Sequence, residues 1–486
     1  MKKFYISTSI VYTNAPPHIG FALESIQADV LARWNRALEK DVFFLTGTDE
    51  HGAKIAKKAK ELNKNPQDFV NEISEKFKEL TKILNLSNDD FIRTTDKKRH
   101  WPVVENVWKK LEESGDIYKK KYKGFYCVGC ETFIKEKDLK DGKCLIHERE
   151  PEVVEEENYF FRLSKYQDEL KEKIEKDEYK IIPETRKNEV LGLIKQGLED
   201  ISFSRSKEKL EWGIPVPGDD SQVIYVWADA LSNYISALGY NKDKKFKKYW
   251  PADVHCIGKD ILKFHALFWP AMLLSIGIDL PKKLFVHGFI TVNGQKMSKS
   301  LGNVIDPFEL VEKYGTDAVR YFLLREIPST EDGDFTYEKF EQRHNSDLAS
   351  GIGNLLARVR VMADGIGFEE NNLKIIEPKI KETRENCKKT LEEFKFNEAL
   401  RVIWDLISFC DKYIEKERPW EKKENSPQVL GNLLVILDNI AELLQPFLPE
   451  TSERIIKEVA RDKKSGKFIN KRGKLLFPKV ARQDSN

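Results

Sequence analysis

The pattern of hydrophobic and polar residues predicts a strand, a helix and a second strand at the start of the chain. Residues 4–7 and 41–46 are short, mostly apolar runs that are typical of buried strands. Between them, apolar residues recur at the three-to-four spacing of an amphipathic helix, at Leu23, Ile26, Val30, Trp34 and Leu38. Strand-like runs return at residues 223–226, 254–257 and 284–290, with a helix-like run at 260–274. This alternation predicts a parallel sheet covered by helices.

The rest of the pattern predicts an insertion and a helical C-terminal region. Residues 116–218 are rich in charges and in turn-forming residues, whereas beyond about residue 347 helical spacing replaces the strand pattern. We therefore predict an α/β fold in which a Rossmann-type parallel sheet is split by an insertion and followed by a C-terminal α-helical bundle. The predicted segments are the first half of the Rossmann domain (1–115), the insertion (116–218), the second half with a lysine loop (219–325), a linking segment (326–346), the helical domain (347–460) and a basic tail (461–486).

Length and composition indicate a globular protein of two to four domains. The chain has 486 residues, of which 40% are hydrophobic and 33% charged, and it contains no run of about 18 apolar residues. We expect it to stay in the cytoplasm and not to enter a membrane. The 82 basic and 80 acidic residues nearly cancel, so the total charge does not indicate nucleic-acid binding. Nine Lys and Arg residues against one Asp in residues 461–482 form either a phosphate-contacting tail or a solvated terminus.

Three cysteines and one histidine have the spacing of a structural zinc site. Cys127 and Cys130 form one pair with two intervening residues. Cys144 and His147 form a second such pair, and thirteen residues separate the two pairs. Three thiolates and one imidazole are the ligand count and type that tetrahedral Zn²⁺ prefers. The sequence therefore predicts one structural Zn²⁺ per chain within the insertion.

Two further motifs are suited to phosphate. His18 and Gly20 lie between the first strand and the first helix, where the free N–H groups and dipole of a helix N-terminus favour anions. Taken alone, this pattern also fits an ordinary turn. Lys296 and Lys299 occupy a loop after the last predicted strand and carry the positive charge needed to neutralise phosphates. A solvated surface loop is the alternative for such a pair.

Together these motifs resemble the paired signatures of class I aminoacyl-tRNA synthetases. The resemblance narrows to the methionyl-tRNA synthetase family and covers nearly the whole chain, because five segments look like their counterparts in identity and order: residues 14–20, 45–52, 225–230, 257–270 and 296–303. It implies activation of methionine with ATP and Mg²⁺, followed by transfer to methionine tRNA, initiator tRNA included. A monomer is expected, because the chain ends soon after the predicted bundle.

The resemblance also implies site residues. The methionine pocket consists of Ile10, Tyr12, Asp49, Trp227, Ala230, Tyr234, Ile261 and His265, with Phe264 and Trp269 beside them. ATP is bound by His18, Gly20, Lys259, Asp260, Lys296 and Lys299, of which His18 and the two lysines of the loop are also catalytic. A helix N-cap is an alternative role for Asp260. The CAU anticodon is read by Asn354, Arg358 and Trp420.

Phe21 is the one clear departure from the family pattern, and Leu231, where the family often has Pro, is a change that we expect to be tolerated. Phe21 stands where the family places the second histidine of its first signature. We expect His18 and the lysine loop to compensate. Three other functions remain as alternatives to a methionyl-tRNA synthetase. They are a synthetase for another apolar amino acid, a nucleotidyltransferase with the same turn, and a tRNA-binding protein that has lost its catalytic activity.

Overall fold

The computed structural model describes residues 2–129, 132–134, 139–145, 148–297, 302–363, 373–422, 424–459 and 474–481. Contacts between Cα atoms divide the chain into two compact units. The first unit comprises Met1–Pro17, Glu39–Thr81 and Ser87–Val286. The second unit comprises His18–Leu38, Lys82–Leu86 and His287–Asn486.

Strands are concentrated in the first two thirds of the chain. In chain order they are β1 (Lys3–Thr8), β2 (Val11–Tyr12), β3 (Asp41–Asp49), β4 (Asp90–Arg93), β5 (Ile117–Cys127), β6 (Thr132–Ile134), β7 (Leu139–Lys140), β8 (Lys143–Cys144), β9 (Glu152–Phe161), β10 (Lys180–Ile182), β11 (Ile201–Ser202), β12 (Ser204–Ser206), β13 (Pro215–Val216), β14 (Asp219–Ile224), β15 (Val254–Gly258), β16 (Lys283–His287), β17 (Ile290–Val292), β18 (Gln295–Lys296) and β19 (Gly333–Phe335).

Helices occur throughout and dominate the C-terminal third. They are α1 (Ile19–Ala37), α2 (Ala53–Glu61), α3 (Pro66–Ile83), α4 (Trp101–Glu113), α5 (Gln167–Glu175), α6 (Glu184–Lys195), α7 (Val226–Leu231), α8 (Asn233–Ser236), α9 (Lys244–Tyr249), α10 (Trp269–Ser275), α11 (Pro307–Tyr314), α12 (Thr316–Arg325), α13 (Tyr337–Arg343), α14 (Asn354–Met362), α15 (Glu377–Glu392), α16 (Phe396–Glu417), α17 (Ser426–Leu444) and α18 (Pro449–Glu458). Short 3₁₀ turns lie at Leu163–Tyr166, Lys259–Ile261 and Leu373–Ile375, and π-helical turns lie at Phe264–Phe268 and His344–Gly353.

A seven-stranded sheet forms the centre of the first unit. Its order is β10-β16-β15-β1-β3-β2, and β4 also pairs with β3. β1 runs parallel to both β3 and β15, with Ile6 opposite Phe44 on one side and Val254 on the other. Nearly every residue of β1 and β3 is buried, as is usual for the central strands of a parallel sheet. The sheet therefore brings the carboxyl ends of β1, β3 and β15 to one edge.

The predicted strands agree with the structure except in two places. One is the run 284–290, which is split because β16 ends at His287 and Ile290 begins β17 of a different sheet. The other is the run 223–226. This run was expected to continue the parallel sheet, but β14 ends at Ile224 and pairs antiparallel with β12 and β13, while Val226 already belongs to α7. An apolar run indicates burial but does not determine the partner strand. A strand that the pattern did not predict, β10, pairs in parallel with β16.

Buried polar contacts join distant segments of the second unit. The guanidinium of Arg320 in α12 is fully buried and lies 2.8 Å from the Asp29 carboxylate of α1. It also donates to the backbone oxygens of Leu84, Pro446 and Phe447 at 2.7 to 3.0 Å. A guanidinium carries five N–H donors, so one Arg side chain can make all four of these contacts at once.

The predicted fold class is confirmed at the level of an α/β protein with a parallel sheet and C-terminal helices. Among the described helices, α17 is long and apolar enough to cross a membrane by length and composition, and 67% of its most apolar window is buried inside the structure. The segment boundaries given above stay predictions.

Candidate active site

Six of the predicted site residues lie at one edge of the parallel sheet. Ile10 and Tyr12 follow β1, Asp49 ends β3, and the turn Lys259–Ile261 follows β15 directly. Open α/β sheets bind ligands at the carboxyl ends of their strands. The topology therefore collects these side chains where the fold places its ligands, although they are more than 200 positions apart in the sequence.

Asp49 is held beside Tyr12 by strand pairing. The two residues are partners in the parallel pair of β2 and β3. The backbone N–H and the hydroxyl of Thr13 both donate to the Asp49 carbonyl oxygen, at 3.0 and 3.1 Å. The Lys54 ammonium lies 5.7 Å from the centre of the Tyr12 ring. Asp49 is only 7% exposed, so its carboxyl group lies where little water reaches.

Aromatic rings form an apolar wall in the same unit. The Trp227 and Phe264 rings are stacked, with centroids 3.7 Å apart and planes within 5° of parallel. The His265 imidazole meets the Trp227 ring edge-on at 6.3 Å. Ala230 is buried on the same helix, α7, and Trp269 is fully buried. Flat polarizable surfaces of this kind suit a thioether side chain.

Tyr234 and His265 are locked together by hydrogen bonds. His265 Nδ1 lies 3.1 Å from the Ile261 carbonyl oxygen, which accepts, so this nitrogen carries a proton. In the neutral imidazole Nε2 is then an acceptor, and the Tyr234 hydroxyl donates to it at 2.8 Å. The Tyr179 hydroxyl donates to the His265 carbonyl oxygen at 2.8 Å. All three side chains of this contact set, His265, Tyr234 and Tyr179, are at least 98% buried, which fixes their orientation.

Asp260 lies inside the turn after β15 and is exposed. The N-cap position of that turn is Gly258, so the alternative role of Asp260 as an N-cap is not observed. Lys259 is half-buried in the same turn. Both side chains thus stand at the end of a parallel strand, on the side of the sheet where nucleotides bind.

In the second unit, His18 caps α1. Its Nδ1 accepts a hydrogen bond from the Gly20 backbone N–H at 3.1 Å, so a neutral His18 carries its proton on Nε2. A Cβ atom on Gly20 would lie 3.0 Å from His18 Cε1 and 3.5 Å from the Met297 methyl group, which explains a glycine here. The Ile19 N–H donates to the Ile305 carbonyl oxygen at 3.1 Å. The start of α1 is therefore tied to the segment that follows the lysine loop.

The lysine loop, which carries Lys296 and Lys299, follows a tight hairpin in the sequence. β17 and β18 pair antiparallel through the turn Asn293-Gly294, where both residues have positive φ angles. The Asp334 carboxylate accepts from the Gly294 N–H at 2.7 Å and from the Thr291 hydroxyl at 2.8 Å. Burial acts to raise the pKa of Asp334, but these hydrogen bonds outweigh it and lower the pKa. Lys296 is exposed at the end of this anchored hairpin, and Lys299 lies outside the described residues.

The predicted anticodon residues lie in the helical part of the second unit. Asn354 is exposed at the start of α14, and Trp420 is 48% exposed after α16. The Arg358 guanidinium is paired with two carboxylates of α16, Asp411 at 3.2 Å and Glu415 at 2.8 Å. These pairs hold the long Arg358 side chain in one direction before any ligand arrives.

Two of the four predicted zinc ligands lie within the described residues. Cys127 ends β5 and Cys144 ends β8, each at a β-hairpin, and both thiols are buried. Cys130 and His147 lie outside the described residues. Where the structure describes the chain, no group of three His, Cys, Asp or Glu side chains has the geometry of a metal site. The zinc prediction is therefore not shown by the structure.

Comparisons with known proteins decide the family. A family model described as "tRNA synthetases class I (M)" matches residues 4–139 and 134–360, and one described as "Anticodon-binding domain of tRNA ligase" matches residues 374–479. The chain is 46% identical to the methionine–tRNA ligase of Thermotoga maritima over 96% of its own length and 76% of that protein. The chain belongs to the methionyl-tRNA synthetase family. The prediction of a class I methionine–tRNA ligase is thus confirmed.

Other methionyl-tRNA synthetases are similar over the same span. The methionine–tRNA ligase of Caldanaerobacter subterraneus is 45% identical and covers 99% of this chain and 79% of its own. The Mycobacterium tuberculosis methionyl-tRNA synthetase in complex with methionyl-adenylate superimposes with a TM-score of 0.90 at 37% identity, over 96% of both chains. The apo form of that synthetase gives a TM-score of 0.85 at 33% identity over 99% of both chains.

Sequence reasoning missed one buried cluster beside the predicted pocket. His51 and His100 each form a hydrogen bond with Asp229, and none of the three residues was singled out. Asp229 and His51 lie inside segments that carried the family resemblance, residues 225–230 and 45–52. Their position within those segments was the only available signal, because their partners lie far away along the chain.

Proposed function

We propose that this chain performs both steps of methionine–tRNA ligation. In the first step a methionine carboxylate oxygen attacks the α-phosphorus of ATP, the bond from that phosphorus to the bridging oxygen breaks, and diphosphate leaves. In the second step a ribose hydroxyl at the 3′ end of methionine tRNA attacks the carbonyl carbon of methionyl-adenylate, loses its proton, and AMP leaves. No side-chain nucleophile is needed, so positioning and electrostatics supply the catalysis.

The observation that carries this proposal is the combination of Asp49 with an aromatic wall in one unit of a family member. A buried carboxylate at the end of β3 suits the methionine ammonium, and the stacked rings of Trp227 and Phe264 suit the thioether. The remaining pocket residues assigned from the family pattern are Ile10, Tyr12, Ala230, Tyr234, Ile261 and His265.

The family pattern assigns ATP-binding roles to His18, Gly20, Lys259, Asp260, Lys296 and Lys299. Lys259 and Asp260 follow β15 in the first unit, with the ribose as the proposed partner of Asp260. In the second unit, the proton on His18 Nε2 and the N–H groups at the start of α1 face anions, and Gly20 leaves the approach open. Lys296 and Lys299 neutralise the departing diphosphate. Mg²⁺, when bound with ATP, supplies further positive charge to the phosphates.

Methionine-dependent exchange of labelled diphosphate into ATP tests the proposal. We expect exchange with methionine and at least about 100-fold less with leucine or isoleucine at equal concentration, because a pocket lined by flat rings disfavours branched side chains. Exchange that depends on another amino acid would replace methionine in the proposal. No exchange with any amino acid, together with retained tRNA binding, would favour the tRNA-binding alternative.

We further propose one structural Zn²⁺ held by Cys127, Cys130, Cys144 and His147. Both described thiols are buried at the ends of their strands, β5 and β8, and three thiolates with one imidazole are a ligand set that tetrahedral Zn²⁺ prefers. Protein purified without chelator should contain about one Zn per chain by elemental analysis. Cys144→Ala should lose it, because three ligands bind much more weakly than four.

A matched control is available for the zinc measurement. Cys387→Ala removes a thiol that is equally buried but lies in α15, and it should leave the zinc content unchanged. Zinc-free native protein, or equal loss of zinc from both variants, would contradict the assignment.

We propose that Asn354, Arg358 and Trp420 read the CAU anticodon of initiator and elongator methionine tRNA. Arg358→Ala or Trp420→Ala should reduce aminoacylation efficiency by about 10-fold to 100-fold, the scale of one lost stacking or hydrogen-bonding contact to a base. Diphosphate exchange should stay unchanged, since that step needs no tRNA. Arg360→Ala is the control, because Arg360 lies on the same helix and also forms an ion pair, with Glu458 at 3.4 Å, but is not assigned to the anticodon. We expect this variant to keep its aminoacylation efficiency. Equal loss in both reactions would show that Arg358 supports the fold.

The predicted monomer and cytoplasmic location also remain proposals. Sedimentation equilibrium of the purified chain would test the first, and cell fractionation would test the second.

A further inference from the structure

A buried carboxylate with two imidazole partners lies on α7, the helix that carries Trp227 and Ala230 of the proposed methionine pocket. Asp229 Oδ2 accepts from His51 Nδ1 at 2.6 Å, and its Oδ1 accepts from His100 Nε2 at 2.7 Å. His100 Nδ1 lies 2.7 Å from the Ser236 hydroxyl oxygen. All four side chains are at most 2% exposed. None of them has a role in the reaction proposed above.

The cluster is electrostatically satisfied. Burial acts to raise the pKa of Asp229, but the two imidazoles outweigh it and lower the pKa, so the group is ionised at neutral pH. An ionised carboxylate can only accept hydrogen bonds, so each imidazole donates one N–H. Removing one partner of such a buried set leaves the others unsatisfied and is costly. The cluster is therefore a rigid connection between the segments that carry its members.

The cluster is not itself a catalytic site. Ser236, His100 and Asp229 follow one another in hydrogen-bond order like the nucleophile, base and acid of a hydrolase. Their burial excludes this role, because an acyl substrate has to reach the serine oxygen. The Trp101 and Trp212 rings also flank His51, with centroids 5.9 and 5.4 Å away, and keep its surroundings apolar.

The cluster connects the two parts of the proposed methionine site, which are the apolar wall and the carboxylate that binds the ammonium. Asp229 lies on α7 between Trp227 and Ala230, which contribute to the apolar wall. His51 lies two residues beyond Asp49, the proposed partner of the methionine ammonium. α7 has only six residues and no side-chain hydrogen bond at its N-cap, so its own capping does little to hold it in place. The 2.6 Å contact of Asp229 with His51 joins this helix to the end of β3.

We propose that Asp229 is a positioning residue that acts through His51 and His100 to set the separation between Asp49 and the apolar wall, and thereby selects amino acids by side-chain length. The proposal rests on the methionine-binding function proposed above. An amino acid with a longer side chain than methionine then contacts the apolar wall before its ammonium reaches Asp49. If α7 is no longer held in place, the site should lose this discrimination by side-chain length.

The test compares three purified variants with the natural chain in diphosphate exchange, using methionine and ethionine, whose side chain is one carbon longer. Asp229→Ala should raise the KM for methionine by about 10-fold to 100-fold, the scale for misplacing binding groups by about 1 Å. The KM for ATP should stay within about twofold, because the Asp229 carboxylate bonds to His51 and His100 and, in the described part of the chain, to no residue assigned to ATP. The preference for methionine over ethionine should fall by about 10-fold.

Asp229→Asn is the conservative rescue. An amide keeps an acceptor for His100 and donates to His51 once that ring takes its other tautomer. It should recover most of the KM and most of the preference.

Asp116→Ala is the matched control for buried-charge removal. Asp116 is fully buried in the same unit and accepts from Lys165 and Ser275 at 2.7 Å, and from Tyr166. This variant should lower the melting temperature without changing the KM for methionine or the preference.

Several outcomes would overturn the proposal. They are an unchanged preference in Asp229→Ala, equal shifts in the KM values of methionine and ATP, and the same kinetic change in Asp116→Ala. If Asp229→Ala does not fold, His100→Asn removes one donor and is read by the same criteria. A natural chain without methionine-dependent exchange would instead contradict the proposed function, so the two failures are distinguishable.

Discussion

Asp49→Asn is expected to raise the KM for methionine in diphosphate exchange by about 100-fold, with the KM for ATP within about twofold. Truncating one partner of a buried charge pair costs about 2 to 5 kcal/mol, and about 2.7 kcal/mol corresponds to 100-fold. Asn has nearly the shape of Asp, so the pairing of β2 with β3 at this position should persist. The substitution then removes only the negative charge that is proposed to pair with the methionine ammonium.

A control for this prediction lies on the same strand. Asp41 begins β3, accepts from the Tyr249 hydroxyl at 2.7 Å and pairs with Lys248, whose hydrogen bond lowers the pKa of Asp41. Asp41→Asn makes the same chemical change at the opposite end of the strand and should leave both KM values unchanged. If the two variants behaved alike, the effect of Asp49 would be on strand stability and not on methionine binding.

His18→Ala is expected to lower the rate of adenylate formation by about 10-fold to 150-fold, which is the loss of one charge-assisted hydrogen bond of about 1.5 to 3 kcal/mol. The variant also removes the cap of α1, since His18 Nδ1 accepts from the Gly20 N–H. His18→Ser separates the two effects, because serine is a good N-cap but is too short to replace the imidazole Nε2. Single-turnover measurements should show His18→Ser as slow as His18→Ala.

The departure at Phe21 is tested in the same experiment. Phe21 is 9% exposed in α1, and a phenyl ring can donate no hydrogen bond to phosphate. If His18 and the lysine loop compensate, the natural chain is active and Phe21→His changes its rate much less than His18→Ala does. An inactive natural chain that Phe21→His restores would show that compensation fails. A His18→Ser variant as fast as the natural chain would show that His18 only caps the helix.

Several features carried by contiguous residues were predicted correctly. The spacing of Leu23, Ile26 and Val30 predicted α1, and the apolar runs at residues 4–7 and 41–46 predicted β1 and β3. The family could be recognised for the same reason, since each signature segment is short and its residues are neighbours in the sequence. The predicted methionine residues stay predictions, although the sheet places Ile10, Tyr12 and Asp49 at its ligand-binding edge.

Features that depend on contacts between residues far apart in the sequence could be found only in the tertiary structure. β14 reads like the other strands, and only its pairing with β12 and β13 shows that it lies outside the parallel sheet.

By itself, the sequence determined the family, the fold class and the residue types available for methionine and ATP, because local periodicity and short motifs encode them. Only the tertiary structure decided which of these residues are neighbours. Asp229 is separated from His51 by 178 positions and from His100 by 129, so no local pattern relates them. They meet because the strands and helices that carry them pack into one core, where a buried carboxylate has to find donors.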